Sequence, residues 1–203
     1  EVIIEISASE LISIGLLTEP VIKFKHVPFE PISLRTYGEV YKQYIVLNET
    51  RNSMILDEAK KLISKGYKTL VLFKTIEHGK ILLEMFNNEN INCELLNGSD
   101  SLDRRNEVKA RLEKGEIDCL IASTILDIGF DAPILSALVL AGSGKSKIRA
   151  LQRIGRILRI FPNKKRAAVV DFMDNCRFLD KHSKIRYETY LTEPGFKILG
   201  KEK

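Results

Sequence analysis

From about Thr50 onward, short apolar, β-branched runs alternate with amphipathic stretches of helical length, and this alternation constrains the fold more than any other feature. Lys68 to Phe73 (KTLVLF), Cys93 to Leu96, Asp118 to Ala122, Leu135 to Leu140 and Ala167 to Phe172 read as strands. Arg51 to Ser64, Glu77 to Asn88, Leu102 to Lys114, Lys147 to Arg159 and Arg177 to Leu191 have helical periodicity, with Gly66 and Gly115 at helix-stop positions. Strands that are apolar throughout need cover on both sides. The pattern therefore predicts an α/β domain, a doubly wound parallel sheet with helices on both faces. Ligands of such sheets bind beyond the carboxyl ends of the strands, and the polar motifs below fall there or on the following helix.

Residues 1–45 differ in texture. Ala8 to Ile12 suggests a short helix ended by Gly15, and Glu19 to Pro28 an alternating strand bracketed by prolines. Proline disfavours a central strand position, so this segment is expected to be a linker with an edge element, ahead of a domain over 46–203. Tyr37 to Leu47 reads as helical or mixed.

The chain has 203 residues, 44% hydrophobic and 29% charged, the composition of an ordinary globular protein. Its longest apolar run, Ile134 to Ala141, is far too short to span a bilayer, so no membrane partner is expected. Glu1 in place of an initiator methionine suggests a fragment or a processed product. The three cysteines show no metal spacing; Cys93 and Cys119 lie in apolar runs, where buried reduced thiols are the default. A reducing compartment, cytoplasmic or nuclear, is expected.

The formal net charge is only +5, but from Ala132 to Val170 there is no Asp or Glu, while nine basic residues fall there. A basic block on an otherwise acidic chain is an electrostatic footprint for a polyanion. Within it, Gln152, Arg156 and Arg159 fall at i, i+4 and i+7 of a helix, with Arg149 one turn before. Ile148, Leu151 and Leu158 take the opposite, core-facing side. Two guanidiniums in register beside Gly155 suit a polyphosphate; a solvated charged face is the alternative.

Two loops invite phosphate readings. Gly142-Ser143-Gly144-Lys145-Ser146 resembles the end of a P-loop, yet Val139 stands where that signature needs its first glycine, and a flexible basic loop is the better reading. Ser123 to Asp131 follows a strand. Ser123 and Thr124 could bond phosphate oxygens, Gly129 permits close approach and Asp131 could accept from a ribose, although a turn with a capping Asp fits as well.

In order and spacing, VLFKTIEHGKIL (71–82), ELLNGSDSLDRRNEV (94–108), IASTILDIGFDAP (121–133) and ALQRIGRILRI (150–160) resemble motif IV, the segment after it, motif V and motif VI of the second RecA-like domain of superfamily 2 helicases. The resemblance covers roughly 45–195. It is nearest to DNA-directed members of the XPB and UvsW type, which share Gln152 where DEAD-box proteins usually carry His, and a tail like KIRYETYLTEPGF (184–196). Ile128 and Phe130 depart from the smaller or charged residues frequent in motif V.

The resemblance implies a RecA-like fold and ATP as cofactor. Arg156 and Arg159 would be arginine fingers on the γ-phosphate with Gln152 in their network, and Gly129 and Asp131 would lie beside the nucleotide. Lys74, Thr75, Asn97, Gly98, Ser123 and Thr124 would contact a nucleic-acid backbone, DNA in preference to RNA. The chain carries no complete Walker A loop and no DExH or DExD tetrad; Asp171-Phe172-Met173-Asp174 reads as a strand end and helix cap. Metal ligands are therefore expected to be absent, with Mg²⁺ and the phosphate cradle supplied by a first RecA-like domain of the same polypeptide. The expected function is the C-terminal motor domain of an ATP-dependent DNA helicase or translocase, inactive alone. A non-catalytic RecA-like nucleic-acid-binding module and a translocase subunit of a restriction or recombination complex are the rival readings.

Overall fold

The structure, a computed structural model, describes residues 8–123, 130–142, 144, 146–164 and 166–199. Seven strands build one sheet: β1 (Pro20–Val27), β2 (Thr69–Leu72), β3 (Cys93–Leu96), β4 (Cys119–Ala122), β5 (Ala137–Val139), β6 (Ala167–Asp174) and β7 (Lys197–Leu199). Their order is β3-β4-β2-β5-β6-β1-β7, and every pairing is parallel. β2, β4 and β5 are buried along their whole length, as strands covered on both faces must be.

The helices are α1 (Ala8–Ser13), α2 (Tyr37–Tyr41), α3 (Glu49–Ser64), α4 (Ile76–Asn88), α5 (Leu102–Glu113), α6 (Lys147–Leu158) and α7 (Leu179–Leu191); α2 runs on into a π-helical turn over Lys42–Val46. Several starts are set by side-chain caps. Asn48, Ser101 and Ser146 each accept the backbone N–H three residues on, and Thr36 with Glu39 forms a capping box. α3 and α5 stop at Gly66 and Gly115, whose φ of 81° and 79° suit glycine.

Alternation along the strands sends side chains to two cores. Leu70, Leu72, Leu120 and Leu138 meet Val108 and Leu112 of α5, Ile154 and Ile157 of α6 and Tyr190 of α7. Val71, Ile121, Val139 and Phe172 meet Ile55 and Ala59 of α3 and Leu82 and Phe86 of α4. The doubly wound architecture is the one the alternation predicts. Winding reverses at β2: β3 and β4 lie to one side of it, β5 and β6 to the other. The carboxyl end of β2 is therefore the switch point, where the crevice of an open sheet forms.

Four expectations need correction. β1 is not an edge element. It lies between β6 and β7 and pairs with β6 from Pro20↔Ala167 to Val27↔Asp174. Pro20 is the first residue of the strand, where proline is tolerated, and Pro28 lies just past its end. The actual edge is β7, three residues long and mostly exposed, as an edge should be. Asp171 and Asp174 cap no helix, since both are buried in ion pairs, and α7 starts after Phe178. Arg159 is not a helical residue; it caps α6 with extended backbone (φ −54°, ψ 136°). Cys93 is half-exposed, because β3 is the other edge strand, while Cys119 in the neighbouring β4 is buried.

Candidate functional site

Helix α6 carries a buried face of Ala150, Ile154, Ile157 and Leu158 and presents Arg149 and Gln152 to solvent. Leu151 is partly buried against the core. Gly155 faces open space, so no contact within this chain requires it to be glycine. Arg156 is half-buried, and its Nη1 donates to the Phe130 carbonyl oxygen at 3.3 Å. The Phe130 side chain, a departure noted above, is buried in the core, and only its backbone carbonyl meets the arginine.

Arg159 has left the helix, yet it still comes beside Arg156's strand-loop neighbours: its Nη1 lies 2.5 Å from Asp131 Oδ1, with the two side chains 48% and 53% exposed. Two contacts hold the backbone there. The Thr18 N–H donates to the Leu158 carbonyl at 2.7 Å, and Lys164 Nζ donates to the carbonyls of Arg159, Leu135 and Pro133 at 2.8, 2.7 and 3.0 Å. Burial without a facing carboxylate lowers the Lys164 ammonium to about 8. Three carbonyl acceptors satisfy its three donors.

The other expected contacts line the carboxyl edge of the sheet. Lys74, after β2, is exposed, with its ammonium 5.2 Å from the Tyr37 ring and 4.9 Å from the Tyr41 ring. Thr75 is the N-cap of α4 but makes no side-chain cap bond; its Oγ1 is buried and has no partner among the described residues. Ser123, after β4, is buried and donates its N–H to the Leu96 carbonyl at 3.0 Å. Asn97, after β3, folds into its own turn, its Oδ1 accepting from the Ser99 N–H and hydroxyl at 3.0 and 2.6 Å. Gly98 is exposed and its carbonyl accepts from Arg105. Thr124 and Gly129 lie outside the described residues. The structure thus makes two groups: Arg156, Arg159 and Asp131 at one end of α6, and Lys74, Thr75, Ser123 and Asn97 along the strand ends.

Beneath that edge lie buried charges that sequence reasoning missed. Arg51, 1% exposed, donates from Nε to Asp174 Oδ1 at 2.8 Å and from Nη1 to the Ala141 carbonyl at 2.5 Å, and stacks over Phe172. Arg186 makes a two-pronged pair with Asp171 at 2.8 Å and 2.8 Å, and the Tyr190 hydroxyl donates to the same carboxylate at 3.0 Å. These pairs lock the ends of β5 and β6 to α3 and α7. The visible signal was a pair of carboxylates inside the apolar run VVDFMD. Among the described residues there is no group of three or more acidic, His or Cys side chains that could hold a metal, and no helix long and apolar enough to cross a membrane.

A parallel sheet wound from both sides of β2, with arginines at the end of one crossing helix and Lys74 beyond β2, is the architecture of a RecA-like helicase domain. The chain matches the helicase conserved C-terminal domain over residues 51–161 and belongs to that family. It is 33% identical over 181 residues to the ATP-dependent DNA helicase uvsW of Enterobacteria phage T4, covering 86% of this chain and 36% of that protein. To the ATP-dependent helicase Lhr-Core of Methanocaldococcus jannaschii it is 32% identical over 173 residues, covering 84% of this chain and 18% of that one. The chain thus spans about a third or less of these relatives. The crystal structure of T4 UvsW superposes with a TM-score of 0.71 at 26% identity, over 90% of this chain and 40% of that one. The C-terminal domain of the DEAD-box protein Dbp5 shares the fold at 14% identity, with a TM-score of 0.59 over 92% of this chain and 91% of that one.

Proposed function

We propose that this domain is the second motor half of an ATP-dependent DNA helicase or translocase, lending Arg156 and Arg159 to an ATP site completed by a first RecA-like domain. The observation that carries the reading is the end of α6, where two guanidiniums converge on the loop bearing Phe130 and Asp131 within the family-matched segment. The donor set fits phosphate oxygens. Guanidiniums offer forked donors, and among the described residues Arg159 is held only by an exposed carboxylate it can exchange. ATP, when bound, supplies the hydrolysis that powers movement. This chain's part is to position charge: Arg156 from the Phe130 carbonyl, Arg159 from a backbone clamped by Lys164, with Gln152 on the exposed face nearby; Asp131, and Gly129 by the family resemblance, would serve the sugar side. Mg²⁺ would be held mainly by the partner domain.

Lys74, Thr75, Asn97, Gly98, Ser123 and Thr124 would grip the nucleic-acid backbone, DNA being favoured because the T4 relative is named a DNA helicase. The motor unit would be 46–203 together with β1, which is paired inside its sheet, leaving the residues ahead of β1 to connect it to the first domain. Closure of two such domains on nucleotide, and release after hydrolysis, would advance the protein along a strand. In the full-length protein, Arg159→Ala should cut DNA-stimulated ATP turnover about 10³-fold or more while sparing DNA affinity. Turnover near that of the unmodified protein would overturn the finger assignment.

A further inference from the structure

At the switch point beyond β2, two hollows open side by side and share Lys74 and Gly144. One, of about 390 Å³, is lined by Lys74, Gly142, Gly144, Arg149, Arg153 and Arg186 beside the start of α6. The other, of about 520 Å³, is lined by Tyr37, Phe178, His182, Lys181, Lys74 and Gly144. No carboxylate lines either hollow among the described residues. Of the lining cations, Arg186 is already paired with Asp171, while Asp174 is held by Arg51 and Asp180 faces Lys184 at 3.6 Å.

Three further observations mark the place as built. Tyr41, 5% exposed, keeps a hydroxyl without a partner among the described residues. That hydroxyl sits where Gly142 leaves room: a Cβ on Gly142 would come within 2.6 Å of it and 2.9 Å of the Lys74 backbone nitrogen. Phe178 holds φ at 67°, a conformation a bulky side chain rarely adopts, and so places its ring 6.2 Å from Tyr37, edge to face. Arg177 lies 4.7 Å from the same ring. A basic hollow joined to an aromatic one has the form of a single nucleotide unit, phosphate in the first and base in the second.

We infer that the paired hollows hold one nucleotide of a single-stranded nucleic acid, its phosphate against Lys74 and Arg149 and its base against Tyr37 and Phe178. This rests on the nucleic-acid reading above and extends it in two ways. It adds a base-stacking contact to a set made only of backbone contacts, and it gives Gly142 and Gly144, after β5, a role. Stacking is sequence-tolerant, so the strand would be held without base preference, as a translocating motor requires.

The test is fluorescence anisotropy on the intact chain with a labelled oligodeoxythymidylate and an abasic oligomer of the same length. The thymidylate should bind about 5- to 100-fold tighter than the abasic strand. Phe178→Leu should erase that difference and leave abasic binding unchanged, whereas Arg149→Gln should weaken both strands alike. Equal binding of the two strands by the unmodified chain would overturn the inference without any variant, so a variant that fails to fold leaves the proposal falsifiable. A Phe178→Leu chain that still discriminates would overturn it too. Competition by free thymidine monophosphate at micromolar concentration would replace the strand with a free nucleotide. If neither oligomer binds at all, the broader nucleic-acid reading falls with it.

Discussion

His78 makes the domain acid-sensitive in a way that can be isolated from every other titration. Its ring, 0% exposed on α4, meets Asn52 Oδ1 through Nε2 at 2.9 Å, and Asn52 Nδ2 donates to the Val46 carbonyl at 2.9 Å. With its amide nitrogen committed to Val46, Asn52 offers oxygen to the ring, so the neutral His78 carries its proton on Nε2. Nδ1 is buried with no partner among the described residues. A second proton there would find no acceptor. Burial, reinforced by the nearby Arg51 guanidinium, lowers the imidazole to about 3.

The unfolded chain titrates this group near 6.5, so between about pH 6.5 and 3 the unfolded state binds a proton that the folded state refuses. Stability is therefore complete above 6.5 and falls as pH falls through that window. From pH 7.5 to 5 the loss from this one group is roughly 2 kcal/mol, a large share of a typical domain's stability. His78→Gln keeps a donor for Asn52 and cannot titrate. Urea unfolding followed by circular dichroism at pH 7.5 and 5 should show the unmodified chain losing about 2 kcal/mol more than the variant. Equal losses would refute the buried-neutral assignment, since carboxylates elsewhere titrate alike in both chains.

Two further substitutions probe the packing beneath the strand ends. Arg51→Met or Asp174→Asn alone should destabilise the domain by about 3–5 kcal/mol, because each leaves a buried partner uncompensated, and the double variant should cost clearly less than the sum. Strict additivity in a denaturation cycle would show that the pair is not coupled. Gly79→Ala should cost about 1–3 kcal/mol despite alanine's better helix propensity, since its Cβ would fall 2.5 Å from the Phe73 ring; a stabilised variant in a thermal melt would contradict that packing.

The regular part of the fold was legible because the central strands β2, β4 and β5 are apolar on both faces and the helices packed on them on one. That is a local property, and Thr69–Leu72, Cys119–Ala122 and Ala167–Asp174 fall where it places strands. The errors came where local chemistry has two readings. The prolines around β1 could break a strand or merely bracket one, and only its eight-residue pairing with β6 decides. β7 has no signal of its own beyond three residues, and it exists because β1 offers it an edge. Asp171 and Asp174 stood out in an apolar run, but Arg51 is 123 positions from Asp174, and nothing in the sequence pairs them. Of the candidate site, helical spacing pointed to Arg156 and Arg159, but it put both on one helix face, and Arg159 lies past the end of α6. The device that fixes Arg159 was not legible, since Lys164 acts through backbone carbonyls that every residue possesses.

That device bears on how the proposed finger would work. The backbone of Arg159 is tied down by the half-buried Lys164 ammonium with all three donors used, while among the described residues its guanidinium is held only by Asp131, both side chains being about half exposed. An exposed pair of this kind contributes about 0–1 kcal/mol, so exchanging the carboxylate for a phosphate costs little. Binding then need not reorganise the chain around Cα, which limits the entropy lost on ordering one long side chain. The clamp supplies placement and the weak pair supplies availability. A finger fixed by a buried ion pair, as Arg51 is by Asp174, would have the first property and lack the second. The fold contains both kinds of arginine, and the loosely held one is the finger proposed above.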